Sequence, residues 1–258
     1  RALPEPGKEI AKKRSAYRLS SSRMDVLLNK DFPSIQSYTW KDNQARLNGQ
    51  LFDVKGITIN GDYYQPKVTS KVEADCILYT LKVKEIGVTL HVCCEVTDNI
   101  FQLSVKKIEE DGDVKVKTLA FPDHHLVSAS ASTPNASLAI ADNVHSDIFY
   151  PLKDKAVDNT CQYGSILLLN SDKLVATLES NSIYGTRQFL YQSVQLPGEV
   201  VTGIWGNEWI YRGHDGEVTE LPYIKVILSD DCNQDNQVDW QDGAVALQKV
   251  YPAPSGVE

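Results

Sequence analysis

From residue 19 to residue 228 the apolar side chains recur at every second position. Residues 77–84 read Ile-Leu-Tyr-Thr-Leu-Lys-Val-Lys. In the next segment Val88, Leu90, Val92, Cys94 and Val96 share one face, and Thr89, His91, Cys93 and Glu95 share the other. Phe101, Leu103 and Val105 continue the series, followed by Val114 and Val116 between lysines. A period of two sustained this long marks half-buried antiparallel strands, one face on the core and one toward water.

The turn residues agree with that pattern. Asn60-Gly61 separates Ile57-Thr58-Ile59 from Tyr63-Tyr64, and Asn-Gly suits the positive φ angles of a tight hairpin. Asp98-Asn99 and Asp111-Gly112-Asp113 divide the strands of a meander. Later strands are predicted at 165–169, 174–179, 189–195, 208–212 and 224–228. Helical spacing is confined to residues 240–251, apart from one short helix predicted over 9–17 in a charged lead-in. The expected fold is all-β: a large antiparallel β-sandwich over 18–228, preceded by a lead-in at 1–17 and followed by a loop-and-helix junction at 229–258.

Length and charge remove several classes of function. A chain of 258 residues buries roughly 70–75% of its unfolded surface, so its core needs no disulfide staples. The longest apolar run, Ile166-Leu167-Leu168-Leu169, is far short of the ~18 residues of a membrane-spanning helix. With 34 Asp and Glu against 26 Lys and Arg, the net charge of −8 argues against a nucleic-acid surface. Membrane insertion is not expected either. The five cysteines, Cys76, Cys93, Cys94, Cys161 and Cys232, form no CxxC pair, and adjacent Cys93 and Cys94 on a strand point to opposite faces. They read as small buried hydrophobes plus a stray thiol, not as a disulfide framework. Because the chain starts at Arg1 without an initiator Met, it is expected to be a fragment of a longer protein.

The sharpest chemical signal is a 12-residue run from Asp231 to Asp242. Asp231, Asn233, Asp235, Asp239 and Asp242 supply side-chain oxygens at positions 1, 3, 5, 9 and 12, and Gln237 offers its backbone carbonyl at position 7. This is the ligand spacing of an EF-hand-type calcium loop, in which several oxygens converge on one hard cation. Position 6 is Asn236, which enters the left-handed region more readily than most residues. A strand precedes the loop and a helix follows it, so a structural calcium ion is expected, not a paired sensor.

Other constellations are weaker. Trp205, Trp209 and Tyr211 beside Arg212 could form a sugar-stacking platform, with core packing of a late strand as the plainer reading. Asp123-His124-His125 reads as a polar turn after Phe121-Pro122, and His91 with Cys93 as a solvent-facing strand face. No spacing selects a catalytic pair among the carboxylates, and there is no Gly-x-Ser-x-Gly elbow.

The segment Asp239-Trp-Gln-Asp-Gly-Ala-Val-Ala246 resembles the piece that joins sandwich to barrel in endo-α-N-acetylgalactosaminidases of glycoside hydrolase family 101. Ser22-Arg-Met-Asp-Val26, Asp31-Phe-Pro33 with Tyr38-Thr39, and Phe121-Pro122 before His124-His-Leu-Val-Ser128 resemble landmarks of that family's N-terminal sandwich. The resemblance implies a galactose mutarotase-like fold. It also implies a following (β/α)8 barrel that carries the nucleophile and the acid/base, and that would be the partner of this module. Such enzymes are bacterial, secreted or wall-attached, and release Gal-β1,3-GalNAc from Ser/Thr of mucin-type O-glycans with retention. On this reading no catalytic residue falls within the chain, which is expected to be a non-catalytic module that supports the barrel and contacts glycan. The rival readings are an independent carbohydrate-binding or adhesion module, and an aldose epimerase-like enzyme with a His and a Glu converging on the concave face.

Overall fold

Alternating segments become strands wherever turn residues let the chain reverse. Asn60 (φ 52°) and Gly61 (φ 87°) take the left-handed angles expected of their hairpin. Asp98 (φ 53°) and Asp172 (φ 56°) do the same in two later hairpins. The computed structural model describes residues 14–141, 148–152, 161–164, 166–181, 186–192, 200–206 and 208–251.

In chain order the strands begin with β1 (Ala16–Ser20), β2 (Met24–Asn29), β3 (Ile35–Trp40) and β4 (Arg46–Asn48). A hairpin of β5 (Ile57–Ile59) and β6 (Asp62–Tyr64) follows. The meander is β7 (Lys67–Glu73), β8 (Cys76–Val83), β9 (Val88–Thr97) and β10 (Ile100–Glu110). Then come β11 (Thr118–Ala120), β12 (Val127–Ser130), β13 (Ser137–Ala141), β14 (Ile148–Pro151) and β15 (Cys161–Gly164). The last are β16 (Ile166–Ser171), β17 (Leu174–Ser180), β18 (Thr186–Gln192), β19 (Val200–Gly206), β20 (Glu208–Ile210) and β21 (Tyr223–Ser229), before helix α1 (Trp240–Val250).

These strands make three sheets. An eight-stranded sheet runs β1-β2-β3-β4-β12-β19-β18-β15, and a nine-stranded sheet runs β14-β13-β16-β17-β21-β10-β9-β8-β7. A four-stranded sheet, β20-β11-β5-β6, lies beside them. All strand pairs are antiparallel, as the sequence pattern requires. The inner faces share one core. Met24, Val26, Tyr38 and Trp40 come from one large sheet, and Tyr79, Leu81, Val92, Phe101 and Val226 from the other. Tyr38 meets Phe101 edge-on between the sheets at 6.3 Å. The buried phenols are satisfied: Tyr38 Oη donates to Leu126 O at 2.9 Å and Tyr79 Oη to Asn29 O at 2.6 Å. Burial pushes both phenols well above their ordinary range.

Three expectations are corrected. The helix predicted over 9–17 is not formed at its C-terminal end: Ala16 and Tyr17 lie in β1, where Leu19 pairs with Val26 and reaches the core. Residues 9–13 lie outside the described residues. The residues around Val114 and Val116 form no strand. Val116 is fully buried, but Lys117 N is taken by Asn60 Oδ1 at 2.7 Å, so pairing starts only at Thr118. Finally, Cys76 and Cys93 are not independent thiols but are joined as a disulfide, with Cα atoms 6.2 Å apart. Cys76 pairs with Glu95, two residues along β9 from Cys93, so the cysteines are diagonal neighbours on one sheet face. Cys94, pointing the other way, is a buried free thiol whose ionisation is suppressed by burial.

The Phe121-Pro122 turn is present, with Asp123 at φ 55°, but the histidines after it are not solvent-facing. His124 is 3% exposed between Phe32 and Phe121 and donates from Nε2 to Pro33 O at 2.7 Å. His125 is fully buried, its Nδ1 3.3 Å from Gln50 Nε2. Burial pushes His124 down to about 4, although the bond to Pro33 opposes the shift. The unfolded chain therefore takes up this proton first. The contribution is complete above about pH 6.5 and is lost as pH falls through about 4. Chemical denaturation from pH 7 to pH 4 is expected to show a decline of which about 3 kcal/mol disappears in His124→Gln. An unchanged decline in that variant would contradict the assignment.

Candidate functional site

The junction loop is held by its own side chains. Asp231 Oδ1 accepts from Asp235 N (3.0 Å) and Oδ2 from Asn236 N (2.9 Å). Asp235 Oδ1 accepts from Gln237 N at 2.9 Å, and Asn233 Oδ1 from Asp235 N at 3.3 Å. Asn236 takes φ 64°, the left-handed angle expected at this position, and Gln234 takes φ 61°. Asp239 is the N-cap of α1, its Oδ1 accepting from Gln241 N at 2.9 Å. Asp242 completes a capping box, with Oδ2 accepting from Asp239 N (2.9 Å) and Oδ1 from Asn233 N (3.1 Å). Asp242 is fully buried, whereas Asn233, Asp235 and Gln237 are exposed. Among the described residues, no three His, Cys, Asp or Glu side chains are gathered closely enough to hold a metal ion.

The loop and helix are also bolted to the sandwich. Trp40, fully buried on β3, donates its indole N–H to Asp230 Oδ2 at 3.1 Å. Asn135 and Asn170 both donate to Val238 O, each at 2.8 Å. Helix α1 lies across the outer face of β16, β17 and β21. Its closest approach is Gly243, where a Cβ would stand 2.5 Å from Leu168 Cδ2, 2.7 Å from Thr177 Oγ1 and 2.9 Å from Val175 Cγ1. At the far end Tyr251 Oη donates to Glu179 Oε2 (2.8 Å) and accepts from Lys225 Nζ (2.8 Å), while Tyr223 Oη donates to Glu179 Oε1 (3.0 Å). Burial and the Glu179 carboxylate push Tyr223 up to about 12 and Tyr251 higher still, so both phenols stay protonated donors. The sequence gives no local sign of Asp230, Glu179, Tyr223 or Lys225 as anchors. Glu179, Tyr223 and Lys225 meet through the register of β17 with β21, whereas Asp230 meets Trp40 of β3.

Residues 19–240 match the model of the galactose mutarotase-like fold domain family. The chain belongs to that family. It is 29% identical over 262 residues to a Renibacterium salmoninarum protein named "Putative endo-alpha-N-acetylgalactosaminidase", covering 92% of this chain and 17% of that one. Among solved structures, the alpha-N-acetylgalactosaminidase NagBb of Bifidobacterium bifidum superimposes with a TM-score of 0.58 at 10% identity, over 83% of this chain and 36% of that chain. A galactose mutarotase related enzyme of Lactobacillus acidophilus gives a TM-score of 0.51 at 11% identity, over 87% of this chain and all of the other. The chain thus spans a minor part of the glycosidase-named relatives and the whole of a mutarotase-related one.

The other candidates in this mutarotase-like domain do not assemble into a reactive centre. Trp209 and Tyr211 are corrected from sugar platform to core. Strand β20 pairs Trp209 with Leu119 on the inward face, leaving it 4% exposed with Nε1 on Asn181 Oδ1 at 2.9 Å and its ring edge-on to Phe121. Tyr211 is 8% exposed, so neither ring offers a face to a sugar. Trp205 sits in β19 opposite Arg187, and its side chain lies outside the described residues. His91 and Cys93 share a face, but Cys93 is taken by the disulfide and His91 Nε2 lies 3.0 Å from Glu109 Oε2. Hydrogen bonds from His91 and Lys107 hold Glu109 down at about 2. A catalytic base at neutral pH needs a pKa near the working pH, so the Glu109 carboxylate is unsuited to proton abstraction.

The close seat of α1 makes a test in which the sign is informative. Replacing a helix-interior glycine by alanine in open space stabilises by ~1 kcal/mol. Gly243→Ala is instead expected to destabilise by roughly 1–3 kcal/mol in urea unfolding, because the added carbon overlaps Leu168 and Thr177. A stabilised variant would show that the helix is not seated as described.

Proposed function

We propose that this chain is the non-catalytic β-sandwich module of an exported glycoside hydrolase acting on mucin-type O-glycans, whose catalytic barrel continues from helix α1. The observation that carries the reading is the seating of α1. A flexible tether needs no glycine-tight contact, no indole anchor on Asp230 and no tyrosine clamp on Glu179. A rigid junction fixes the direction in which the chain leaves the sandwich. The named Renibacterium salmoninarum relative supports the parent activity, and the Cys76–Cys93 disulfide supports export to an oxidising compartment. The second reading is an independent carbohydrate-binding or adhesion module, for which the Lactobacillus acidophilus chain shows only that the fold can make up a whole chain.

The 258-residue protein alone is expected to release no Gal-β1,3-GalNAc from a p-nitrophenyl α-glycoside, whereas the longer polypeptide read from the same gene releases it. Hydrolysis by the fragment itself would overturn the non-catalytic role. A gene without a barrel beyond residue 258 would overturn the parent assignment and leave the independent module.

A structural calcium ion belongs to the same proposal. Asp231, Asn233, Asp235, Asp239, Asp242 and the carbonyl of Gln237 form an all-oxygen donor set suited to that cation. Asp242 also fits: it is fully buried, with backbone N–H groups as partners and no ion pair among the described residues. At 100 times its dissociation constant, calcium would add about 2.7 kcal/mol of stability. Chelation is therefore expected to lower the melting temperature, and Asp235→Ala to abolish most of that difference. Calorimetry without binding at millimolar calcium, with melting indifferent to chelator, would leave the loop as a self-capped turn.

A further inference from the structure

Strand β7 ends the nine-stranded sheet and pairs with β8 on one side only. Its ladder closes at Glu73–Cys76 over a two-residue turn, with Ala74 at φ 52°. In such a hairpin the closing pair exchanges both backbone hydrogen bonds, and every second pair repeats them. Lys67, Thr69, Lys71 and Glu73 therefore direct their N–H and C=O groups to β8. Those of Val68, Ser70 and Val72 point off the open edge and meet no partner among the described residues. The strand carries no proline, its pairing with β8 has no bulge, and none of its residues is buried.

The side chains of this edge are also incomplete. Val72 lies on the core side of the sheet, opposite fully buried Ile77, yet it is 59% exposed. On the outer side Lys67 stands directly opposite Lys82, a like-charge pair that disfavours the strand pairing. Exposed edges commonly carry lysines that block pairing with another copy. That block fails where each lysine can meet something other than a lysine. The order Lys-Val-Thr-Ser-Lys-Val-Glu in β7 allows this, because read backwards it sets unlike charges against each other.

We propose that β7 is a self-association edge, to which a second copy of the chain adds its own β7 antiparallel about a two-fold axis at Ser70. In this register Ser70 pairs with Ser70 of the second copy, and Val68 with Val72 of the second copy. These are the residues whose backbone groups are free, and they make about six hydrogen bonds between the copies. On the core side Val68 of the second copy covers Val72. On the outer side Lys67 meets Glu73 at both ends of the ladder, and Thr69 meets Lys71. Glu73, whose ion pair within one copy is with Lys71 at 3.1 Å, thereby also reaches the lysine that Lys82 repels. Sliding the pairing by two residues sets Lys67 against Lys71, or Lys71 against itself, so charge selects the register. A single strand pair lies at the small end of specific interfaces, so the dimer is reversible and concentration-dependent.

Sedimentation velocity of the 258-residue protein from micromolar to near-millimolar concentration tests this. The wild type is expected to form a reversible dimer. Val72→Pro removes an edge N–H and leaves the β8 ladder intact, so it is expected to sediment as a monomer while keeping the wild-type melting temperature. Lys67→Glu and Glu73→Lys each place like charges at both ends of the ladder, and each should weaken self-association about tenfold or more. Mixed in equal amounts, the two variants recover the opposite-charge pairs and are expected to dimerise with each other as tightly as the wild type. A wild type that stays monomeric throughout would overturn the proposal and leave the edge to a strand of different sequence. Assembly that grows beyond a dimer, a dimer indifferent to Val72→Pro, or no association in the mixture would overturn it equally.

Discussion

The constraint on which the molecule depends is that each strand has two faces and one shared core can absorb only one of them. The inward faces of the eight- and nine-stranded sheets meet around Tyr38, Tyr79 and Phe101. Everything else follows from what happens to the outward faces. On the nine-stranded sheet, β16, β17 and β21 carry Leu168, Val175 and Ile227 outward, and all three are buried. A sheet face that apolar must be covered, and α1 covers it. Further along the same sheet the outward residues are Thr80, His91, Lys107 and Glu109, which need no cover.

That division explains why the helix is part of the domain and not an appendage. Gly243 brings the helix backbone down onto Leu168, Val175 and Thr177, and the Asp239–Asp242 capping box ends the loop on the helix axis. The polar contacts of Trp40 with Asp230 and of Tyr251 with Glu179 come before and after the seat along the chain.

Much of this was legible in the sequence because it is local. Alternation marked the strands of the meander, Asn60-Gly61 the β5–β6 hairpin of the small sheet, and the spacing from Trp240 the helix. Asn236 as the left-handed residue of the junction loop was likewise a property of one position. What was not legible depends on register between distant segments. The Cys76–Cys93 bond requires knowing that β8 pairs with β9 so that Cys76 faces Glu95. Trp209 and Tyr211 share a face by spacing alone, but which face is inward is decided by β11, some ninety positions earlier. The small sheet illustrates the same limit: β5 and β20 each alternate, yet nothing near either says that they share a sheet through β11.

The central claim is that junction and sandwich are one cooperative unit. Native-state hydrogen exchange at low denaturant measures this directly. The account predicts that the amides of α1 open with the same free energy as those of β17 and β21, through global unfolding. Exchange of α1 by local opening, well below the free energy of the sheet beneath it, would contradict the account.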